Sequence, residues 1–124
     1  MEPGMKLLTG YPPDVVAVEV VGQVTKADYE DLLTPAVEKA IGREGKVKIL
    51  YLAGEDFAGY SPAAAWEDMT LGLMHLTKFA GVALVTDVPW LAAATRLFAP
   101  LVPCPVRVFP VAALDEAKGW IAQV

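Results

Sequence analysis

The sequence predicts an α/β fold built on a mixed sheet, and three observations carry that expectation. β-branched runs of strand length alternate with longer stretches of helical periodicity. Turn and capping residues mark the boundaries between them. The run Val82-Ala83-Leu84-Val85-Thr86 is almost continuously apolar, as a strand buried on both faces of a parallel sheet should be.

The elements follow in order. Lys6-Leu7-Leu8 reads as a short first strand, and Thr9 to Asp14, with Gly10, Pro12 and Pro13, as a turn. Val15 to Val21 is a β-branched second strand that Gly22 ends. The short connection pairs these two strands as an antiparallel hairpin. Thr25 and Asp28 form a variant capping box at the start of the first helix, where the helix dipole favours the acid. Tyr29, Leu32, Leu33, Ala36, Val37, Ala40 and Ile41 follow at helical spacing. Pro35 should kink or split that helix, because its ring clashes with the carbonyl four residues back. Gly42 and Gly45 close it. Val47 to Ala53 is the third strand, and Gly54 to Tyr60 a loop. Ser61-Pro62 opens a second helix that runs to Lys78 or Phe79, with Ser61 as N-cap and Pro62 at the first helical position. The fourth strand is Val82 to Thr86, and Asp87 caps a third helix at about Pro89 to Phe98. A stiff loop holding Pro100, Pro103 and Pro105 leads to a fifth strand, Val106 to Phe109, and a last helix from about Leu114 to Ala122. The order β-β-α-β-α-β-α-β-α implies about four helices, right-handed crossovers, and a five-stranded sheet that is parallel except for its leading hairpin.

A chain of 124 residues falls near the commonest domain size, so residues 1–124 are expected to form one domain. Apolar residues make up 55% and charged ones 20%, which excludes a disordered chain and leaves apolar surface for a partner or ligand. Net charge is −5, with 10 scattered basic residues against 15 acids. Nucleic-acid binding needs clustered Lys and Arg, so it is not expected, and neither is charge-driven adhesion to an anionic membrane. The lone Cys104 admits no internal disulfide and fits a cytoplasmic location. No signal peptide is read at Met1 to Lys6, and no run approaches the roughly 20 apolar residues of a membrane span.

The stretch Ile49-Leu50-Tyr51-Leu52-Ala53-Gly54-Glu55-Asp56-Phe57-Ala58-Gly59-Tyr60-Ser61-Pro62, set in this order of elements, resembles the STAS domain, the fold of the sporulation anti-sigma-factor antagonist SpoIIAA. In that family a strand gives way to an apolar-Asp-Ser-Ser-Gly motif, and the serine at the helix start is phosphorylated. The resemblance puts Ser61 at the modified position, with Gly59, Tyr60 and Pro62 where the motif has Asp, the first Ser and Gly. Over nearly its full length the chain looks more like the SpoIIAA-like branch grouped with CRAL-TRIO-type lipid-binding folds. Ala65-Trp66-Glu67-Asp68, Leu71-Gly72, His75, Val85-Thr86-Asp87 and Val106-Arg107-Val108-Phe109-Pro110 carry that likeness. It implies a SpoIIAA-like (STAS-like) fold in a bacterial protein and leaves the role open.

Ser61, the only serine, is a candidate phosphorylation site, since a helix N-terminus stabilises added negative charge. The plainer reading is an N-cap, worth about 0.5–2 kcal/mol. Asp87, at the carboxyl end of the fourth strand, could share an acidic rim with Glu55 and Asp56, where open α/β sheets gather ligands. Its plainer role is the helix cap. His75 stands about 10.5 Å along the second helix from Asp68 and about 21 Å from Ser61, too far for a catalytic pairing. No His or Cys spacing suggests a metal, and no phosphate or dinucleotide loop suggests a cofactor. Cys104 reads as structural.

The apolar surplus is the sharper signal. The second helix carries Trp66, Met69, Leu73 and Leu76 on one stripe, and the third carries Trp90, Leu91, Ala94, Leu97 and Phe98. Mid-helix Gly72 costs about 1 kcal/mol relative to Ala and suggests close backbone packing or a hinge. Trp66, Met69, Leu73, Trp90, Phe98 and Asp87 therefore form the candidate ligand or partner surface, against the ordinary reading of the apolar residues as core. The first functional expectation is a non-enzymatic regulatory or protein-interaction module, with a homodimer expected. The alternative is a carrier of an apolar or lipid-like molecule held between the second and third helices. An enzyme using Asp87 with Glu55 or Asp56 comes last.

Overall fold

Residues 4–124 are described by the structure, a computed structural model, and the first three residues of the N-terminal stretch considered above lie outside them. Five strands form one sheet in the spatial order β1 (Gly4–Leu7), β2 (Val15–Val24), β3 (Val47–Tyr60), β4 (Phe79–Thr86) and β5 (Val106–Phe109). β1 runs antiparallel to β2, with Lys6 opposite Glu19, and all other neighbours are parallel. The leading hairpin and the mixed sheet are thus as the sequence predicts.

Three helical segments connect the parallel strands, α1 (26–44), α2 (Pro62–Met74) and α3 (Pro89–Phe98), and a fourth, α4 (Leu114–Gln123), follows the last strand. The capping box at the start of α1 is complete, since Thr25 accepts from the Asp28 amide and the Asp28 carboxylate accepts from the Thr25 amide. The helix is interrupted just before Pro35, where a π-turn separates its first turn (Lys26–Asp28) from the regular helix that starts at Thr34. The turn Tyr29–Leu33 is widened to a π-turn, in which the Thr34 amide bonds the carbonyl five residues back, at Tyr29. The widened turn removes the demand for an amide at Pro35, and regular helix resumes from Thr34 to Glu44. Gly45 ends it in the left-handed conformation (φ 77°), where a side chain would be strained.

The sheet is covered unevenly. Val18, Val20, Tyr51, Ala53 and Leu84 face α1, α2 and α3. Ala17, Leu50, Leu52, Ala83, Val85 and Phe109 face α4, through Ala117 and Ile121. Right-handed crossovers between strands added in one direction place α1, α2 and α3 on one face, and α4, which follows the last strand, covers the other. Lys48 is buried beneath α4, where its ammonium donates to the Ala122 carbonyl at the end of the helix (3.3 Å) and lies 3.5 Å from Asp14. The cation meets the negative end of the helix dipole there.

Several boundaries differ from the sequence reading, β1 among them, which spans Gly4–Leu7 where Lys6 to Leu8 is expected. Gly22 does not end β2, and Gly54 to Tyr60 is not a loop. Both strands continue, with Gly22 opposite Phe57 and Val24 opposite Tyr60 across two register shifts. The glycines permit this because Gly22 (φ 71°) and Gly59 (φ 100°) take backbone shapes that bulges need. α2 also stops sooner, at Met74, and a 3₁₀ turn (Leu76–Lys78) leads into β4, which begins at Phe79.

Ile121 holds the single-helix face, with no exposed surface. Ile121→Ala should destabilise the fold by about 2–5 kcal/mol in urea or thermal unfolding, because the cavity it leaves cannot close against the sheet.

Candidate functional site

α2 starts from the long third strand. Ser61 caps it, accepting from the Ala64 amide (3.1 Å), while its own amide donates to Val24 at the end of β2 (2.9 Å). On the inward face of α2, Ala64, Asp68 and Leu71 recur at helical spacing, and Ala64 and Leu71 are buried. Asp68 thus stands on the inward stripe between two core residues. Its carboxylate accepts from Tyr29 Oη of α1 at 2.7 Å.

Three of the chain's four tyrosines meet there. Tyr51 and Tyr60 come from β3, with ring centroids 6.5 Å apart, and Tyr29 from the π-turn of α1. Burial raises the pKa of all three phenols, that of Tyr60 to about 12, and the nearby Asp68 carboxylate adds to each rise. They remain protonated donors near neutral pH. Asp68 is exposed as a residue, yet the carboxylate that accepts from Tyr29 is crowded by protein atoms. Desolvation raises its pKa, partly offset by the Tyr29 hydrogen bond. The Tyr51 hydroxyl is buried without a hydrogen-bond partner, although Tyr29 and Tyr60 lie near enough to influence its titration.

Beyond this cluster, α2 leans on α1 and leaves a gap toward α3. The gap is a groove of about 760 Å³, lined by Tyr60 and Asp68 at one part of its wall and by Met69, Gly72, Leu73, Trp90, Phe98 and Leu101 among its apolar groups. Its volume falls in the range of small-molecule sites. Phe57, on the extended part of β3, stacks on Trp90 (5.7 Å, 28°) and meets Tyr60 edge to face (5.4 Å). A smaller depression of about 200 Å³ lies near Leu7, Leu8 and Arg43, below ordinary ligand size.

Of the residues singled out from sequence, Met69, Leu73, Trp90 and Phe98 line this one groove, while Trp66 is exposed outside its wall. The ordinary expectation that these stripes are core holds for Leu91, which is buried, but not for Leu73, 68% exposed, or Phe98, 58% exposed. No atom lies within 4 Å of where a Cβ on Gly72 would stand, so close backbone packing is not the reason for that glycine. Asp87 does not cap α3. Its carboxylate accepts from the Val111 amide (3.1 Å), and the cap position is Val88. The buried Thr86 supplies the hydroxyl there, donating to Ala53 O and accepting from the Val88 amide. A threonine locked in the sheet presents its oxygen to the helix start, which frees Asp87 to hold the turn after β5. His75 Nε2 lies 3.9 Å from Glu38, and Cys104 is half-buried with its pKa raised by burial, opposite to what a reactive thiolate needs.

The Tyr29–Tyr51–Tyr60–Asp68 cluster escapes the sequence reading. A usable signal was present, since Asp68 occupies the i+4 position between Ala64 and Leu71, where an apolar residue is expected. The partners come from elements 39 residues and less away, and no local pattern connects them.

Two outcomes follow. Tyr51→Phe removes a hydroxyl that has no partner, so the melting temperature should hold or rise, whereas Tyr29→Phe, which deletes the bond to Asp68, should lower it. Asp68 binds a proton more readily in the folded than in the unfolded chain, whose carboxylate has the ordinary value near 3.8. Folding is therefore favoured as pH falls through the raised value and loses that contribution as pH rises. Relative to Asp68→Asn, the wild type should gain stability on acidification, read as melting temperatures of both proteins from neutral pH down to the ordinary carboxylate range.

Among the described residues no helix is long and apolar enough to cross a membrane. A solved structure from Shewanella loihica PV-4, described as an uncharacterized protein from the DUF3478 family with a SpoIIAA-like fold, is similar to this chain. It superposes with a TM-score of 0.76 and 28% sequence identity, covering 98% of this chain and 96% of that one. Comparison with curated proteins gives no match. The SpoIIAA-like family profile matches residues 15–122, from β2 through nearly all of α4, and the chain belongs to the SpoIIAA-like family.

Proposed function

We propose that the protein binds and carries a small apolar molecule in the groove between α2 and α3. The observation that supports this reading is the groove itself, about 760 Å³ between two helices that present apolar side chains to it. Large apolar groups held in solvent are unfavourable by roughly 25 cal/mol per Å², and a bound apolar ligand would cover them. The open space at Gly72 gives the groove room that any larger residue would occupy. The resemblance to CRAL-TRIO-type lipid-binding folds points the same way.

The reading as a regulatory or interaction module draws on apolar residues outside the groove wall, Trp66, Met74 and Leu97, all more than half exposed. A ligand in the groove would leave these uncovered. Ser61 phosphorylation belongs to that reading, and mass analysis of the protein from its native cell would reveal it.

Gly72→Leu separates groove binding from folding. Leucine is the better helix former, so the variant should be as stable as wild type or more stable. It should bind the neutral apolar dye Nile red at least about tenfold more weakly, because the side chain fills the space a ligand would use. Equal dye affinity in the two proteins, or no dye binding by wild type, would end the carrier reading.

A further inference from the structure

The groove is apolar along most of its wall, but one part is built differently. Tyr60 and Asp68 line it directly, and Tyr29 and Tyr51 stand behind them. Tyr29 occupies one acceptor position on Asp68, and a carboxylate offers about four. Tyr51 is only 8% exposed, and its hydroxyl has no partner. A buried hydroxyl without a partner is unfavourable, and a second donor–acceptor group in the cluster would relieve it. Among the described residues no Lys or Arg lines the groove, and the chain as a whole is acidic. A carboxylate or phosphate head would meet Asp68 with no countercharge.

We propose that the groove's ligand is an uncharged apolar molecule with a hydroxyl head group, which donates to Asp68 and accepts from Tyr60. Tyr51 completes the chain. A small movement of the Tyr60 ring on ligand binding brings its oxygen within reach of the otherwise unpartnered Tyr51 hydroxyl, while its proton turns to the ligand. The hydrogen bonds then run from Tyr51 to Tyr60 to the ligand to Asp68, with Tyr29 holding the other side of the carboxylate. The alcohol is selected because it alone both donates and accepts at one atom without charge. This inference rests on the carrier reading and specifies the class of its ligand.

The test uses two isomers of equal size, 1-decanol and 1-methoxynonane, as competitors of Nile red on the full chain. They differ only in whether the oxygen can donate. The alcohol should displace the dye at about tenfold lower concentration or less, the ratio a charge-assisted hydrogen bond supports. Asp68→Leu should bring the two isomers within about twofold of each other, and Tyr51→Phe should weaken the alcohol a few-fold while leaving the ether unchanged. Should Asp68→Leu fail to fold, Asp68→Asn keeps an acceptor without the charge and should reduce the preference to a few-fold. Equal displacement by both isomers from wild type, or a preference unaltered in the Asp68 variants, overturns the head-group assignment and leaves the groove as a plain apolar site. Displacement by neither isomer overturns the carrier reading as well.

Discussion

The structure depends on the pairing of β2 with β3 beyond the point where either strand would ordinarily stop. Past Ala53 the ladder continues through two register shifts to Val24 and Tyr60, and the Ser61 amide closes it on Val24. Each added pair satisfies backbone groups that would otherwise face water or be buried bare. The extension has a second consequence. It brings Phe57 into the three-helix core with Tyr60 packed against it, and delivers the start of α2 beyond them. α2 then packs toward α1 through the Tyr29–Asp68 hydrogen bond, and the groove opens on its other side, toward α3.

Polar and apolar parts of the site thus have one origin. The strand that places two tyrosines beside Asp68 also supplies Phe57 as the aromatic floor under Trp90. Burial keeps the phenols neutral, so they act as donors and acceptors rather than as charges. Three helices share one sheet face, and the apolar stripes of α2 and α3 exceed what that face can cover. The opposite face has no such surplus, because α4 alone matches it, through Ala117 and Ile121 and with Lys48 tied to its carboxyl end.

Ser61 opens α2, and the geometry assigns that serine a clear local task. Ser61 Oγ accepts from Ala64, and Pro62 sits at the first helical position. The chemically distinctive groups lie elsewhere, at Asp68 and the tyrosines. Fold kinship and functional site are separate matters here, as they are for many widely used folds.

Much of the fold is legible in the sequence because its signals are local. β-branched runs, the Thr25–Asp28 box, Ser61-Pro62 and Gly45 each act over a few residues, and the structure keeps all of them. The readings that fail are those that a distant partner decides. Gly54 to Tyr60 looks like a loop until β2 is set beside it. Asp87 looks like a cap until the Val111 amide, 24 residues on, takes its carboxylate. The sequence by itself determined the order of elements, the apolar surplus and the family. Tertiary structure alone decided that the surplus frames a groove and that Tyr29, Tyr51, Tyr60 and Asp68 meet beside it, because residues far apart in the chain become neighbours only when the sheet and helices are packed.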